Sequence, residues 1–528
     1  MRGPSERQRT AATIVALLAI IVASLWLRWP GFSQGGFASH DVAGILYNAM
    51  VLHDGGLPYV DTLEVKAPGT FFLARLFAGA EGRDIARFQI WANLWALAGL
   101  VMVAALGWRA WGRIGALAGA GLYALHDAHL DTMDANYVTW ANGAQIGAFV
   151  LGIEASRATK TGNRAALWLL AGGVAGFAAL CKRPDGVILL VILVIAAVAG
   201  LRANEDRSAR PWGCWRAPAL VLGGFVAAHL PIAALYAKQG QLSALYHGYV
   251  FNSWGARYLG ARGLSPDSVR EGALALTHFL SLPLCLAAFA GATALAIARR
   301  EQGSDRAFDR ARREFTFVAV WAAGTLVAAS LGFRFYKGYF LAVAAPLCLL
   351  AAAPWGLAGA TCRVRPWLRA LVLVPLASIL LLRQAAILDH ARRDRSTAHD
   401  SGGRQIAAYV VENSETSDRI WVWGWHLWDV YPLSGRRSAS RVYKSMGILT
   451  QSNDDTWRSG TSPPHFVDSP RAQMLMQDLE ADPPRYVILG STVPHREFTA
   501  LQDFLHAHYR RDRRGPRIGK VQYWRRKD

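Results

Sequence analysis

The sequence predicts a polytopic α-helical membrane protein of about eleven transmembrane helices, with amphipathic helices in its first outer loop and a C-terminal extracytoplasmic α/β domain. Three observations predict it. Of the 528 residues, 53% are hydrophobic and 18% are charged, fewer charges than the quarter or so usual in a soluble chain. Those charges cluster, leaving apolar runs of about 17–25 residues, long enough to cross a bilayer as helix. From Leu388 onward the composition becomes that of a soluble domain.

The first element follows a short basic head, in which Arg2, Arg7 and Arg9 face Glu6. Ala11 to Leu27 is apolar and has no clean small-residue cleavage site after it, so it reads as a retained helix and not as a signal peptide. Apolar stretches then fall at 11–28, 88–108, 112–126, 137–155, 165–181, 186–201, 217–237, 272–298, 315–333, 339–359 and 369–386. An odd number of spans puts the N-terminus in the cytoplasm and the C-terminal domain outside. Charge agrees with this. The connections assigned inside hold Arg109 and Arg113, then Arg157, Lys160 and Arg164, then Arg202 to Arg216, Arg299 to Arg313, and Arg363 to Arg369. That bias is the positive-inside pattern, and it implies a multi-pass plasma (inner) membrane protein.

The same bias explains the net charge of +20 without invoking nucleic acid, for which no aromatic-basic recognition module is present. The five cysteines form no CxxC pair, so neither a zinc site nor a disulfide framework is indicated. The chain divides into a membrane region, 1–387, with its first outer loop at 28–87, and a soluble domain, 388–528. In the soluble domain Asp418–Gly424 and Arg485–Gly490 read as strands, and Val521–Trp524 as a final one. Arg471–Leu479 and Arg496–Tyr509 have helical periodicity.

Polar residues gather at one face of the membrane. The first outer loop is too long for a linker and holds Asp41 at the head of an amphipathic stretch reaching Leu52. Asp41 reads either as a helix N-cap or as a general base near the lipid surface. Lys66-Ala67-Pro68-Gly69 opens a second amphipathic stretch, Thr70 to Ala78, where a lysine can meet a phosphate or anchor to headgroups. The second outer loop, His126 to Asn136, carries Asp127, Asp131 and Asp134, either solvated or bound to a divalent metal. Lys182, Arg183, Arg334 and Lys337, with Tyr339 beside them, place cations at outer span ends, and Arg257-Tyr258 lies in the fourth outer loop. Cations there run against the charge bias; they suit either an anionic ligand such as a lipid phosphate or snorkelling to headgroups.

Four stretches carry a resemblance. They are Ser39-His40-Asp41; Gly56-Leu57-Pro58-Tyr59-Val60-Asp61 leading to Lys66-Ala67-Pro68-Gly69; Cys181-Lys182-Arg183-Pro184; and Gly332-Phe333-Arg334-Phe335-Tyr336-Lys337-Gly338-Tyr339-Phe340-Leu341. In this order, over residues 11–386, the chain resembles the GT-C superfamily of membrane glycosyltransferases. Its nearest branch looks like the family 39 relatives of protein O-mannosyltransferases and aminoarabinose transferases. The resemblance implies an inverting transfer of a sugar from a polyprenyl-phosphate donor to a hydroxyl on a lipid, glycan or protein acceptor at the outer face. It maps the catalytic acids onto Asp41, as general base, and Asp134, with Asp131 as rival. It maps phosphate-binding cations onto Lys66 and, more loosely, onto Lys182, Arg183, Arg334 and Lys337. It names no certain cofactor and leaves a divalent metal open. Two departures stand out: Val42 follows Asp41 where many relatives carry a second acid, and Lys66-Ala67-Pro68 replaces Lys-Pro-Pro. The competing class is a transporter or flippase of a lipid-linked anionic sugar, but the chain lacks the internal repeats such a protein would carry. A catalytically silent scaffold with a sensing outer domain is a third reading.

Overall fold

The computed structural model describes residues 5–37, 39–205, 213–251, 263–298, 306–361, 366–397, 399–424, 427–445, 448–451, 464–490 and 494–527. Helices run in the order α1 Glu6–Leu27, α2 Trp29–Ser33, α3 His40–His53, α4 Gly69–Phe77, α5 Ile85–Asp127, α6 Tyr137–Arg157, α7 Thr161–Cys181, α8 Val187–Glu205 and α9 Gly213–Lys238. They continue with α10 Leu242–Leu245, α11 Pro266–Ala298, α12 Arg306–Ser330, α13 Leu341–Thr361, α14 Pro366–Ser396, α15 Ser401–Glu412, α16 Val430–Ser434, α17 Pro470–Ala481 and α18 Thr499–His508. Among the described residues, seven strands lie in the last part of the chain: β1 Arg419–Trp423, β2 Arg437–Ser438, β3 Thr450–Gln451, β4 His465–Phe466, β5 Tyr486–Leu489, β6 Tyr509–Asp512 and β7 Gln522–Arg526.

Two compact units form. The first combines Met1–Gln34, Gln89–Gln239 and Asn252–Ser396; the second combines Gly35–Phe88, Gly240–Phe251 and Thr397–Asp528.

The first unit is a helical bundle. Among the described residues six helices are long and apolar enough to cross a membrane: Glu6–Leu27, Ile85–Thr132, Thr161–Cys181, Arg183–Leu201, Trp215–Lys238 and Pro266–Ala288. The α6 helix is not one of these six. It carries Thr139, Asn142 and Gln145, all buried inside the bundle. The expected stretches 88–108 and 112–126 are two limbs of α5, broken where Trp111 (φ −134°) and Gly112 (φ 71°) leave helical geometry. The limbs turn back closely enough that a Cβ on Gly107 would lie 2.6 Å from the Gly115 carbonyl oxygen. Small residues join α7 to α9 in the same way. A Cβ on Gly172 would meet the Val221 carbonyl oxygen at 1.9 Å, and one on Gly224 the Leu169 carbonyl oxygen at 1.9 Å. Phe149 of α6 stacks on Trp321 of α12 at 4.4 Å in the bundle core.

The second unit contains a five-stranded sheet in the order β2-β1-β5-β7-β6. The β1 strand pairs in parallel with β2 and β5, whereas β7 pairs antiparallel with both β5 and β6. Strands β1 and β5 are buried along nearly their whole length, which is why both read as continuous apolar runs in the sequence. Helices α17 and α18 supply Leu475, Leu479, Leu501 and Leu505 to the sheet's core. The helix expected to end at Tyr509 stops at His508, and Tyr509–Asp512 is strand β6 instead.

The α3 helix corrects one expectation. The stretch from Asp41 to Leu52 is helical, but Val42 to Val51 are all buried. Asn48 and Tyr47 are as covered as Ile45 and Leu46. A helix buried on every face does not lie along a lipid interface.

Candidate functional site

Within the second unit, Asp41 and Lys66 meet. Ser39 is the N-cap of α3, its hydroxyl accepting the Asp41 N–H at 3.2 Å, so the capping role belongs to Ser39 and the Asp41 carboxylate is left for other work. The Lys66 ammonium lies 2.8 Å from Asp41 Oδ1. Both side chains keep access to solvent, 38% for Asp41 and 19% for Lys66, so a ligand can reach the pair.

The Lys66 backbone is held on both sides. Its carbonyl accepts from the Tyr59 hydroxyl. Its N–H donates to Glu64 Oε1 at 3.2 Å, as does the Val65 N–H at 2.7 Å. Glu64 is buried and takes further donors from Lys444, whose Nζ lies 2.7 Å from both oxygens, from the Tyr443 hydroxyl, and from Asn48 Nδ2 at 3.3 Å. Burial pushes the Glu64 carboxyl up, but the charges of Lys444 and Lys66 outweigh it and hold it down at about 2. Sequence reasoning missed Glu64, Lys444, Tyr443 and Asn48 as parts of this arrangement. The available signals were the Glu-Val-Lys spacing and a lone Asn in an apolar helix.

In the first unit the polar residues follow α5. A π-helical turn, Ala128–Thr132, carries Asp131 with a left-handed backbone at φ 72°. Its Oδ1 lies 2.9 Å from Lys337 Nζ. Lys337 and Tyr339 share the one-turn segment Lys337–Tyr339, and Lys182 Nζ sits 5.1 Å from the centre of the Tyr339 ring. Asp131, Lys337, Tyr339 and Lys182 are thereby brought into one neighbourhood. Lys182 is buried and pairs with Asp185 at 3.0 Å. Arg183 opens the adjacent turn, Arg183–Gly186. Arg334 lies between Phe333 (φ 51°) and Phe335 (φ 50°). Arg257 and Tyr258 lie outside the described residues.

Asp134 is buried, and its Oδ1 accepts from the Ala135 N–H at 2.9 Å and from Gln89 Nε2 at 3.4 Å. Burial pushes its carboxyl up to about 6; Arg395 opposes that shift and Asp131 adds to it.

The three-aspartate segment is not a solvated loop. Asp127 is fully buried at the end of α5 and pairs with Arg28, which also donates to Thr132 Oγ1 at 2.6 Å and to the Thr132 carbonyl at 3.1 Å. With Asp127 bound to Arg28 and Asp131 to Lys337, the donor set does not fit a divalent metal. Among the described residues no group of three or more His, Cys, Asp or Glu side chains could hold one.

Four non-glycine residues among those described have left-handed backbones: Tyr59, Asp131, Phe333 and Phe335. All four lie in the polar segments singled out by sequence. Such conformations persist where surrounding contacts over-determine them, often at functional sites.

Solved proteins superpose on this fold over most of the chain. ArnT from Cupriavidus metallidurans, bound to undecaprenyl phosphate, superposes with a TM-score of 0.59 at 12% identity, over 96% of this chain and 97% of that one. The chain shares the fold of that protein. The archaeal oligosaccharyltransferase AglB from Archaeoglobus fulgidus, in complex with an inhibitory peptide and a dolichol-phosphate, gives 0.52 at 12% identity over 91% of this chain and 69% of that one. The same enzyme in complex with Zn and sulfate gives 0.50 at 14% identity, over 90% and 67%. No family model matches the chain, and no curated protein matches it in sequence. The likeness is therefore one of architecture, at identities too low to carry residue roles.

Proposed function

We propose that this chain is an inverting glycosyltransferase of the family 39 type, moving a sugar from a polyprenyl-phosphate donor to a hydroxyl acceptor at the outer face of the membrane. The observation that carries the reading is the accessible Asp41–Lys66 pair, 2.8 Å apart, in a chain of GT-C fold. The ArnT neighbour was solved with undecaprenyl phosphate and AglB with a dolichol-phosphate and a peptide, which supports a lipid phosphate on one side and a separate acceptor on the other.

In this reading Lys66 receives the donor's phosphate. A phosphate offers the ammonium charge-assisted hydrogen bonds that compete with Asp41, so donor binding releases the carboxylate as it anchors the leaving group. Asp41 then takes the proton from the acceptor hydroxyl. The acceptor oxygen attacks the anomeric carbon, the bond from that carbon to the phosphate oxygen breaks, and the electron pair leaves on the lipid phosphate, with inversion at carbon. Lys66 balances the charge that develops there. A role for Asp134 as second acid, and for Lys182, Arg183, Arg334 and Lys337 as phosphate-binding cations, rests on the family resemblance alone. No step is routed through a metal. The charge bias of the connections supports a cytoplasmic N-terminus and an outer C-terminal domain in a plasma membrane.

Asp41→Asn tests the assignment. Sugar transfer by purified protein in nanodiscs is expected to fall at least about 100-fold, the usual contribution of a general base, while undecaprenyl phosphate binding is kept. Unchanged product formation would sink the base role. A transporter would be indicated if lipid-linked sugar crossed a sealed vesicle without transfer.

A further inference from the structure

We propose that Glu64 and Lys444 form a positioning latch, in which Glu64 holds the backbone of the Lys66 turn and Lys444 holds Glu64. It rests on the reading of Lys66 as the phosphate anchor. The two residues stand 380 positions apart in the chain, so a segment far downstream sets the geometry of a turn in the first outer loop.

The alternative is an ion pair that only fastens the two segments together. That fastening exists without it. The Leu63 N–H donates to the Arg441 carbonyl at 2.8 Å, the Ser438 N–H donates to the Tyr47 hydroxyl at 2.9 Å, and the Tyr47 and Tyr443 rings lie 4.5 Å apart. A buried ion pair is often replaceable by apolar side chains with little loss of stability. An apolar side chain at position 64 could not accept the Val65 and Lys66 N–H groups, which Glu64 Oε1 does. That Oε1 is also one of the two oxygens bound by Lys444. The latch therefore runs unbroken from the Lys444 ammonium through one carboxylate oxygen to the Lys66 backbone. Thr62 strengthens it by donating to Asn48 Oδ1 at 2.6 Å, which turns the Asn48 amide N–H toward Glu64. Among the described residues, the charged and titratable groups that act most strongly on Glu64 are Lys444, Lys66 and Tyr443.

The experiment measures undecaprenyl phosphate binding to full-length protein in nanodiscs, with folding checked by circular dichroism and size exclusion. Lys66→Ala is the reference. Glu64→Asp keeps the charge on a shorter stem that cannot span both the backbone N–H groups and Lys444. Lys444→Met removes the holding cation. Each is expected to weaken binding by about tenfold, the scale of one charged hydrogen bond, and the double variant to lose no more than the worse single one. In Lys444→Met the buried carboxylate loses its nearest cation and is driven toward protonation. Its binding relative to wild type should therefore worsen from about pH 8 to about pH 5.5, a slope that a fastening role would not produce. Wild-type affinity in folded Glu64→Asp and Lys444→Met, with Lys66→Ala weakened, overturns the latch and leaves the anchor standing. Wild-type affinity in Lys66→Ala overturns the anchor and the latch with it.

Discussion

The carboxylates divide by what surrounds them. Glu64 is buried among cations and donors and is held ionised. Asp134 is buried with weaker support and is pushed toward its protonated form, up to about 6 from an ordinary 3.8. Asp41 stays accessible and pairs with Lys66. A transfer that needs a base at neutral pH suits the accessible group; the buried one suits a proton-sensitive supporting role. Asp134 makes a stability prediction. Its folded value is raised, so the folded state holds the proton where the unfolded chain has lost it. Stability from this group is present below about pH 4 and is lost as pH rises to about 6. Thermal unfolding in nanodiscs should show this decline in wild type and a shallower one in Asp134→Asn. Equal slopes in the two proteins would remove Asp134 from the account. Arg28 shows the opposite design. Its pair with Asp127 is fully buried, and its remaining donors reach Thr132, so it staples α1's end to the turn that presents Asp131.

At the scale of elements, the helices were legible because hydrophobic runs are local. Each expected apolar stretch overlaps a helix, running past its ends by up to three residues, and β1, β5 and β7 fall where aromatic and β-branched runs stand between turn residues. The misses share a cause. The α3 helix has an apolar pattern broken by Asn48, which reads as one wet face, but Tyr443 and Glu64 cover that face from elsewhere in the chain. The β6 strand begins within a helical pattern, and pairing with β7 redirects it. Close approach of helices was invisible too. Gly172 reads as an ordinary span glycine until α9 is brought against it. Gly172→Leu is expected to force α7 from α9 and to cost about 1–3 kcal/mol, read as a lowered unfolding temperature. Gly173→Ala, whose added Cβ would sit 3.7 Å from the Gly224 carbonyl oxygen, should be tolerated. Equal effects from the two would refute the close-packing explanation.

At the scale of the whole molecule, the units do not follow the chain end to end. The second unit gathers Gly35–Phe88, Gly240–Phe251 and the last part of the chain. The proposed orientation can be checked directly. In a variant with the five native cysteines replaced, Ala507→Cys on the exposed face of α18 should react with a membrane-impermeant maleimide in intact cells. Labelling only after permeabilisation would invert the topology. By itself, the sequence determined the helical membrane class, the mixed sheet's main strands, and Asp41 and Lys66 as the pair to examine, because hydrophobic length, periodicity and the chemistry of a short loop are local properties. Only the tertiary structure decided which charge meets which. Glu64 with Lys444, Arg28 with Asp127, and Asp131 with Lys337 are pairs distant in the chain, and a pairing energy depends on separation in space, which no local pattern encodes.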